Sequence, residues 1–394
     1  MIGAGLRQAD DLVRDGQVHA SVYRDGHVFQ HELDRIFSTS WVYVGHESEV
    51  AQPGDYKTTT LGVQPVVMVR GADDGQIRVL YNRCRHRGAL VCQLDRGNSH
   101  FLRCQYHAWT YDSTGALVGV PLPKRYVKGL DRTELSLTSV ARTGSYRGFV
   151  FASAAPEGPS LEEHLGNARP YLDRLAGVEG GVVVGPVAQR YAYDGNWKLQ
   201  LENVVDNYHV TVVHKSFVDI LAARTGSRGQ WHSGSAKDLG NGHGLLEFPV
   251  DTGAATGGED FNLVVFPNLA FVGYQIRVVH PVRVDHTNVV VQPMLIAGAS
   301  DEVNAARLRV HEESFGPAGF VSPDDVEVAL GRVQMGTAAG NPWMELTRGL
   351  GEEEVLEDGS LRGDITDEVG QRGFYRQWKA SMAGVELVQE GGSL

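Results

Sequence analysis

The stretch Asn196-Trp-Lys-Leu-Gln-Leu-Glu-Asn-Val-Val-Asp-Asn-Tyr-His-Val-Thr-Val-Val-His214 places Asn203, Asp206, His209 and His214 in one short segment. Asn196 has the side chain of a helix N-cap, and Trp197, Leu199, Leu201, Val204, Val205 and Tyr208 recur at roughly helical spacing, so the segment is expected to begin as a helix. On an ideal helix a spacing of five separates His209 from His214 by ~7.5 Å of rise and about 140° of rotation, too divergent for one ion. The helix must loosen there, and the β-branched run Val210 to Val213 favours helix weakly enough to admit a π-bulge or an early end. Two imidazoles suit Fe(II), Zn(II), Cu or Ni, so the pair alone does not name a metal. Two structural histidines on an apolar helix would give the same pattern.

Upstream, Cys84-Arg-His86 is followed by seventeen residues and then Cys104-Gln-Tyr-His107. Two thiolates and two imidazoles, each pair at a strand-to-loop turn, form the ligand set by which a Rieske [2Fe–2S] cluster differs from an all-cysteine one. They are also a zinc ligand set, although the surrounding texture is short strands rather than a compact finger. These strands are expected at 56–61, 63–70, 77–81, 101–104 and 149–151, with Asp112-Ser-Thr-Gly115 as a hairpin turn. The remaining cysteine, Cys92, is most simply a buried thiol.

Together, Glu202-Asn-x-x-Asp-x-Tyr-His-x4-His214 and the paired Cys/His motif, with Arg87-Gly88 and Trp109, resemble the large (α) subunit of the Rieske-type aromatic ring-hydroxylating oxygenases. Gln105 and Ala108 stand where proline and glycine are frequent in that family; neither supplies a donor atom, so altered tuning alone is expected. The resemblance spans about Tyr43 to Trp378. It implies an α+β fold in which a small antiparallel β domain of Rieske type is inserted in a catalytic domain with a curved antiparallel sheet flanked by helices, a helix-grip (START-like) arrangement. The domains would be an N-terminal segment, 1–38, packing on the catalytic domain, a cluster domain, 39–155, and a catalytic mononuclear-iron domain, 156–394.

The segment Phe315-Gly-Pro-Ala-Gly-Phe-Val-Ser-Pro-Asp-Asp325 has a local explanation. Ser322 could cap a helix, with Pro323 first and the Asp325 carboxylate completing a capping box. It is also similar to the stretch where the family carries its third iron ligand, which makes Asp325 the ligand and Asp324 the alternate. Two histidines and a carboxylate leave positions on Fe(II) open for dioxygen. The resemblance further implies that Cys84, His86, Cys104 and His107 hold the cluster, and that Asp206 carries electrons to His209 from a neighbouring subunit's cluster. Asn203 joins Asp206 as a candidate catalytic residue, and Val210, Phe315 and Val321 are candidate pocket residues.

Electrons would come from a separate reductase, with or without a ferredoxin, since no Gly-x-Gly-x-x-Gly fingerprint is present. The implied assembly is a trimer, with or without a small β subunit, acting on a small aromatic compound and O2. The branch most similar at 315–322 takes aromatic carboxylates such as terephthalate or salicylate; Arg277, Arg283 and Arg332 are candidates to anchor a carboxylate. A different class, a non-catalytic Rieske electron carrier or a zinc-stabilised ligand-binding protein, would bind metal upstream and none at His209 and His214.

Composition bounds the rest. The 394 residues allow two or three domains, and 36 Lys plus Arg against 48 Asp plus Glu give −12, which disfavours nucleic acid as a partner. No apolar run is long enough for a membrane span, the N-terminus lacks a signal-peptide core, and three cysteines are too few for a disulfide framework, so a cytoplasmic protein is expected. A loop over 222–244, strands over 261–266, 269–280 and 287–293, and helices over 161–175, 301–313 and 372–382 complete the expectation.

Overall fold

The computed structural model describes residues 8–177, 181–185, 187–226, 232–249 and 260–386. Residues 37–161 form one compact unit; residues 1–36 and 162–394 form a second.

In the first unit, Asp55–Leu61, Gln64–Arg70, Ile77–Tyr81 and Arg96–Asn98 make a four-stranded antiparallel sheet. Phe101–Arg103, Thr110–Asp112 and Leu117–Gly119 make a separate three-stranded meander, closed by the expected turn. Alternation along these strands sends Val67, Val69, Leu80, Leu102 and Tyr111 into one core that also contains Cys84 and Cys104. Both cysteines thus sit within the hydrophobic core of this unit.

The second unit is built on a ten-stranded antiparallel sheet among the described residues. Its order runs Val182–Val184, His286–Ile296, Gln275–Arg283, Leu269–Val272, Phe261–Val265, His243–Glu247, Ser235–Gly240, Leu361–Asp364 and Glu354–Val355, with Gln189–Tyr193 also on His286–Ile296. What sequence alone treats as one strand, 269–280, is a hairpin folded back at Gly273, whose positive φ of 58° admits the turn. The expected loop over 222–244 is corrected in the same way. Helix Lys215–Thr225 runs into it and strand Ser235–Gly240 closes it, while residues 227–231 lie outside the described residues. The expected helix over 161–175 is divided by a 3-10 turn at Gly166–Ala168.

Helix Trp197–Val204 packs on this sheet with Trp197, Lys198, Leu199, Gln200, Leu201 and Val204 all buried. Its polar members are satisfied internally. Lys198 Nζ pairs with Glu32 Oε1 at 2.5 Å, and Glu32 also accepts from the indole N–H groups of Trp197 (2.8 Å) and Trp378 (2.6 Å). Breaking such a buried pair from one side costs about 3–5 kcal/mol, so this network locks the helix against the C-terminal helix Val369–Ser381. No helix among the described residues is long and apolar enough to cross a membrane.

Candidate metal centres

The helix ends earlier than its periodicity implies. Trp197–Val204 stops before Asp206, and Val210–Val213, where a bulge was expected, is a regular helical turn. The irregularity falls on the histidines: His209 caps that turn, and His214, at φ −96° and ψ 30°, divides it from Lys215–Thr225. These two breaks undo the divergence of a five-residue spacing and bring the imidazoles to 5.2 Å between centroids.

Asp325 completes the cluster. Its Oδ1 lies 2.9 Å from His214 Nε2 and 3.3 Å from His209 Nε2, and it accepts from Asn203 Nδ2 at 3.2 Å. One donor atom from each of the three ligand side chains falls within 4.8 Å of the others. Metal–ligand bonds of about 2.1 Å at right angles would set donor edges of about 3 Å, close to the two that run from Asp325 Oδ1 to the imidazoles. Ser322 does not cap the following helix with its side chain; its hydroxyl donates to Phe315 O at 2.7 Å. The capping-box explanation for Asp325 therefore fails, and the π-helix Asp325–Arg332 begins at the metal-facing carboxylate. Asp324 points elsewhere, its Oδ2 being 3.5 Å from Nδ1 of His214, on the far side of that ring.

Asp206 is tied to its own turn. Oδ1 accepts from the backbone N–H of Tyr208 (2.7 Å) and His209 (3.2 Å) and lies 3.5 Å from His209 Nδ1, which is buried without a hydrogen-bond partner. Burial lowers the His209 pKa, but the carboxylates of Asp206 and Asp325 outweigh it and hold the imidazole up at about 9. Burial likewise opposes ionisation of Asp325, and hydrogen bonds from both histidines hold its carboxyl well below the usual range. A metal must therefore displace a proton from His209. Fe(II) affinity of the metal-free protein should rise across pH 6–8 and level off above about 9, releasing protons on binding, as calorimetry in buffers of different ionisation enthalpy would measure.

A cavity open to solvent faces this trio. Val210, Phe315 and Val321 all line it, as do Asn203, Asp206 and the buried Arg277. Phe217, Phe248 and Asn262 line it as well. Sequence reasoning missed these because a phenylalanine facing a pocket is indistinguishable in sequence from one facing a core, and Asn262 stands alone in an apolar strand. Arg283 and Arg332 are exposed and ion-paired, to Asp285 at 3.1 Å and Glu327 at 2.9 Å.

In the other unit, two loops have the same hydrogen-bonded frame. Cys84 N–H donates to Ala89 O and Gly88 N–H to Cys84 O; Cys104 N–H donates to Trp109 O and Ala108 N–H to Cys104 O, all at 2.8–2.9 Å. The frame brings His86 and His107 to 4.5 Å between centroids, with Trp109 stacked on His86 at 4.9 Å and 8°. His86 Nδ1 is buried with no hydrogen-bond partner, as a nitrogen reserved for a metal would be. Two thiolates and two imidazoles are the donor set of a Rieske pair of irons, one held by sulfur and one by nitrogen. Cys92 is a buried free thiol, its pKa pushed up to about 12 by burial.

Two features tune the loops. Tyr111 OH accepts from Arg85 N–H (3.1 Å) and so directs its proton at Cys84 Sγ, 3.4 Å away. Removing about 1 kcal/mol of preference for the reduced state corresponds to about 40 mV for one electron, so Tyr111→Phe should lower the cluster potential by that order in a redox titration. Ala108 has φ 56° where its counterpart Gly88 has φ 75°, so the departure noted from sequence strains the backbone and is not tuning alone. A left-handed alanine costs roughly 1–2 kcal/mol, and glycine returns about 0.4–1 kcal/mol of it as unfolded-state entropy. Ala108→Gly should therefore stabilise this unit by about 0.5–1 kcal/mol in denaturant unfolding.

Comparison with known proteins agrees with both sites. Residues 40–139 match the Rieske [2Fe–2S] domain, and residues 183–384 match the ring hydroxylating alpha subunit (catalytic domain). The chain is 32% identical to the 2-halobenzoate 1,2-dioxygenase large subunit of Burkholderia cepacia, over 87% of this chain and 82% of that one. It is 31% identical to the toluate 1,2-dioxygenase subunit alpha of Pseudomonas putida, over 82% and 81%. The crystal structure of naphthalene 1,2-dioxygenase from Rhodococcus sp. bound to indole superposes with a TM-score of 0.83 at 29% identity, covering 94% of this chain and 96% of that one. With His209, His214 and Asp325 assembled as described, the chain belongs to the ring-hydroxylating dioxygenase α-subunit family, whose cofactors are a Rieske [2Fe–2S] cluster and a mononuclear iron.

Proposed function

We propose that this chain is the terminal oxygenase of a multicomponent system, adding both atoms of O2 to an aromatic ring as a cis-dihydrodiol. The observation that carries it is the His209, His214 and Asp325 trio opening onto an otherwise largely apolar cavity. When bound, the ferrous ion and the cluster supply dioxygen binding and the electrons that reduce it.

The roles of the protein groups follow from where they lie. His209, His214 and Asp325 hold the ion from one side, and the Asn203 amide, donating to Asp325 Oδ1, fixes that carboxylate. Asp206 orients His209 through its backbone and, one-third exposed, is accessible to a neighbouring subunit, which suits a bridge for electrons arriving from that subunit's cluster. Val210, Phe217, Phe248, Phe315 and Val321 exclude water and accept a flat ring. Cys84, Cys104, His86 and His107 hold the cluster in a domain spanning 39–155, ahead of the catalytic domain from 156 and after a short segment, 1–38, that packs on it. A reductase, a ferredoxin and a small β subunit in a trimeric assembly complete the system, in the cytoplasm, a reducing compartment in which the Cys84 and Cys104 thiolates stay available to the cluster. The names of the two relatives, 2-halobenzoate and toluate dioxygenases, favour small substituted benzenes.

Turnover of an aromatic panel with a surrogate reductase under labelled dioxygen tests this. A cis-diol carrying two labelled oxygens is expected; single-label products would assign a monooxygenase, and reduction of the cluster without oxygenation of any ring would leave only an electron carrier.

A further inference from the structure

Arg277 is 2% exposed, yet among the described residues no carboxylate lies within ion-pair distance of it. Its Nε donates to Gln275 Oε1 at 2.9 Å and its Nη2 to Ser322 Oγ at 3.3 Å, both neutral acceptors. A guanidinium has five N–H donors, so three remain without a protein acceptor among the described residues. The two acceptors are themselves held. Gln275 Nε2 donates to Nδ1 of His311 at 3.2 Å, and Ser322 donates to Phe315 O. Burial, reinforced by Arg277, keeps His311 neutral by lowering its pKa to about 4, so no second cation competes. The guanidinium is thus held in place, charged and, among the described residues, without a carboxylate partner.

Burying a lone cation is costly unless an anion arrives to pair with it. Arg277 lines the same cavity as His209, His214 and Asp325, whose other walls include Phe217, Phe248, Val272 and Val321. The Tyr191 phenol feels the charges of both Arg277 and Asp325, which puts the cation and the metal-binding carboxylate within electrostatic reach of one side chain. Asp325 is already engaged by both histidines and Asn203. A planar guanidinium fork matches a carboxylate in two parallel hydrogen bonds.

We propose that Arg277 is the substrate anchor, gripping the carboxylate of a small aromatic acid of the benzoate class while the ring lies between the apolar walls beside the metal site. This rests on the reading of the cavity as an oxygenase active site. Arg277, Gln275 and Ser322 then determine substrate class, and Arg283 and Arg332 take no part.

Equilibrium binding of benzoate and of its neutral isostere benzamide to the iron-loaded enzyme tests the assignment by calorimetry, independently of turnover. Wild type should prefer benzoate by at least about tenfold. Arg277→Met should weaken benzoate on the order of 100-fold, Arg277→Lys by an intermediate factor because it keeps charge without the fork, and surface Arg283→Met not at all. Benzoate should also raise the melting temperature of wild type and not of Arg277→Met; should that variant fail to fold, Arg277→Lys and the benzamide comparison decide. Equal affinity for benzoate and benzamide, or wild-type benzoate affinity in Arg277→Lys or Arg277→Met, would overturn the proposal. Benzoate bound through Arg277 with no oxygenation of any ring in the aromatic panel would instead refute the oxygenase reading and leave the anchor standing.

Discussion

Asp325→Ala should reduce ring oxygenation to background while the cluster's visible spectrum stays as in wild type. The Asp325 carboxylate is buried between His209 and His214 and, among the described residues, is the one anion within 3.3 Å of both. Without it two neutral imidazoles remain, which bind Fe(II) weakly and leave its charge uncompensated. The neighbouring residue is the control. Asp324 meets only Nδ1 of His214, so Asp324→Asn should keep the iron and weaken its binding by about tenfold, as removing a partner behind a metal-binding histidine does. Chelator competition on the two variants measures both. Iron retention in Asp325→Ala with loss in Asp324→Asn would reverse the ligand assignment.

Asp206→Asn should lower coupled turnover on the order of 100-fold with both metals bound. Asparagine keeps the oxygen that accepts from the Tyr208 and His209 N–H groups, so the turn survives and only the charge beside His209 Nδ1 is lost. Asp206→Ala would remove the turn bonds as well and confuse the two effects. Single-turnover experiments on pre-reduced enzyme separate them. Cluster reduction by the reductase should proceed at the wild-type rate, and cluster re-oxidation in the presence of substrate and O2 should be slow. Wild-type re-oxidation in Asp206→Asn would remove Asp206 from the electron path.

The metal chemistry was legible because ligands are chemically rare and closely spaced. Two of three cysteines sit beside histidines, and His209 and His214 share one segment with Asn203 and Asp206. Asp325 was harder, since its local sequence equally describes a helix cap; only the hydroxyl of Ser322 bonding Phe315 O and the carboxylate turning inward separate the two. Position along the helix was misjudged for a physical reason. β-branched residues only weakly disfavour helix, so Val210–Val213 stays helical under tertiary packing, and the chain breaks at the polar positions on either side. The hairpin at Gly273 was hidden because Leu269–Val272 and the start of Gln275–Arg283 are buried on both faces and carry no alternation to mark their ends, and the strand at Ser235–Gly240 because its Ser, Ala, Lys, Asp and Gly are poor strand formers. The arginines show the limit most plainly. Arg277, Arg283 and Arg332 are indistinguishable in sequence, and only burial and partners single out the first.

Diffraction data collected just above and below the iron absorption edge, from crystals of natively purified protein, test the central claim most directly. Two anomalous peaks are expected per chain: a single iron bonded by His209, His214 and Asp325, and a close pair of irons with Cys84 and Cys104 on one and His86 and His107 on the other. A lone zinc among the cysteines and histidines, or a peak at the cluster with none at His209, would contradict it.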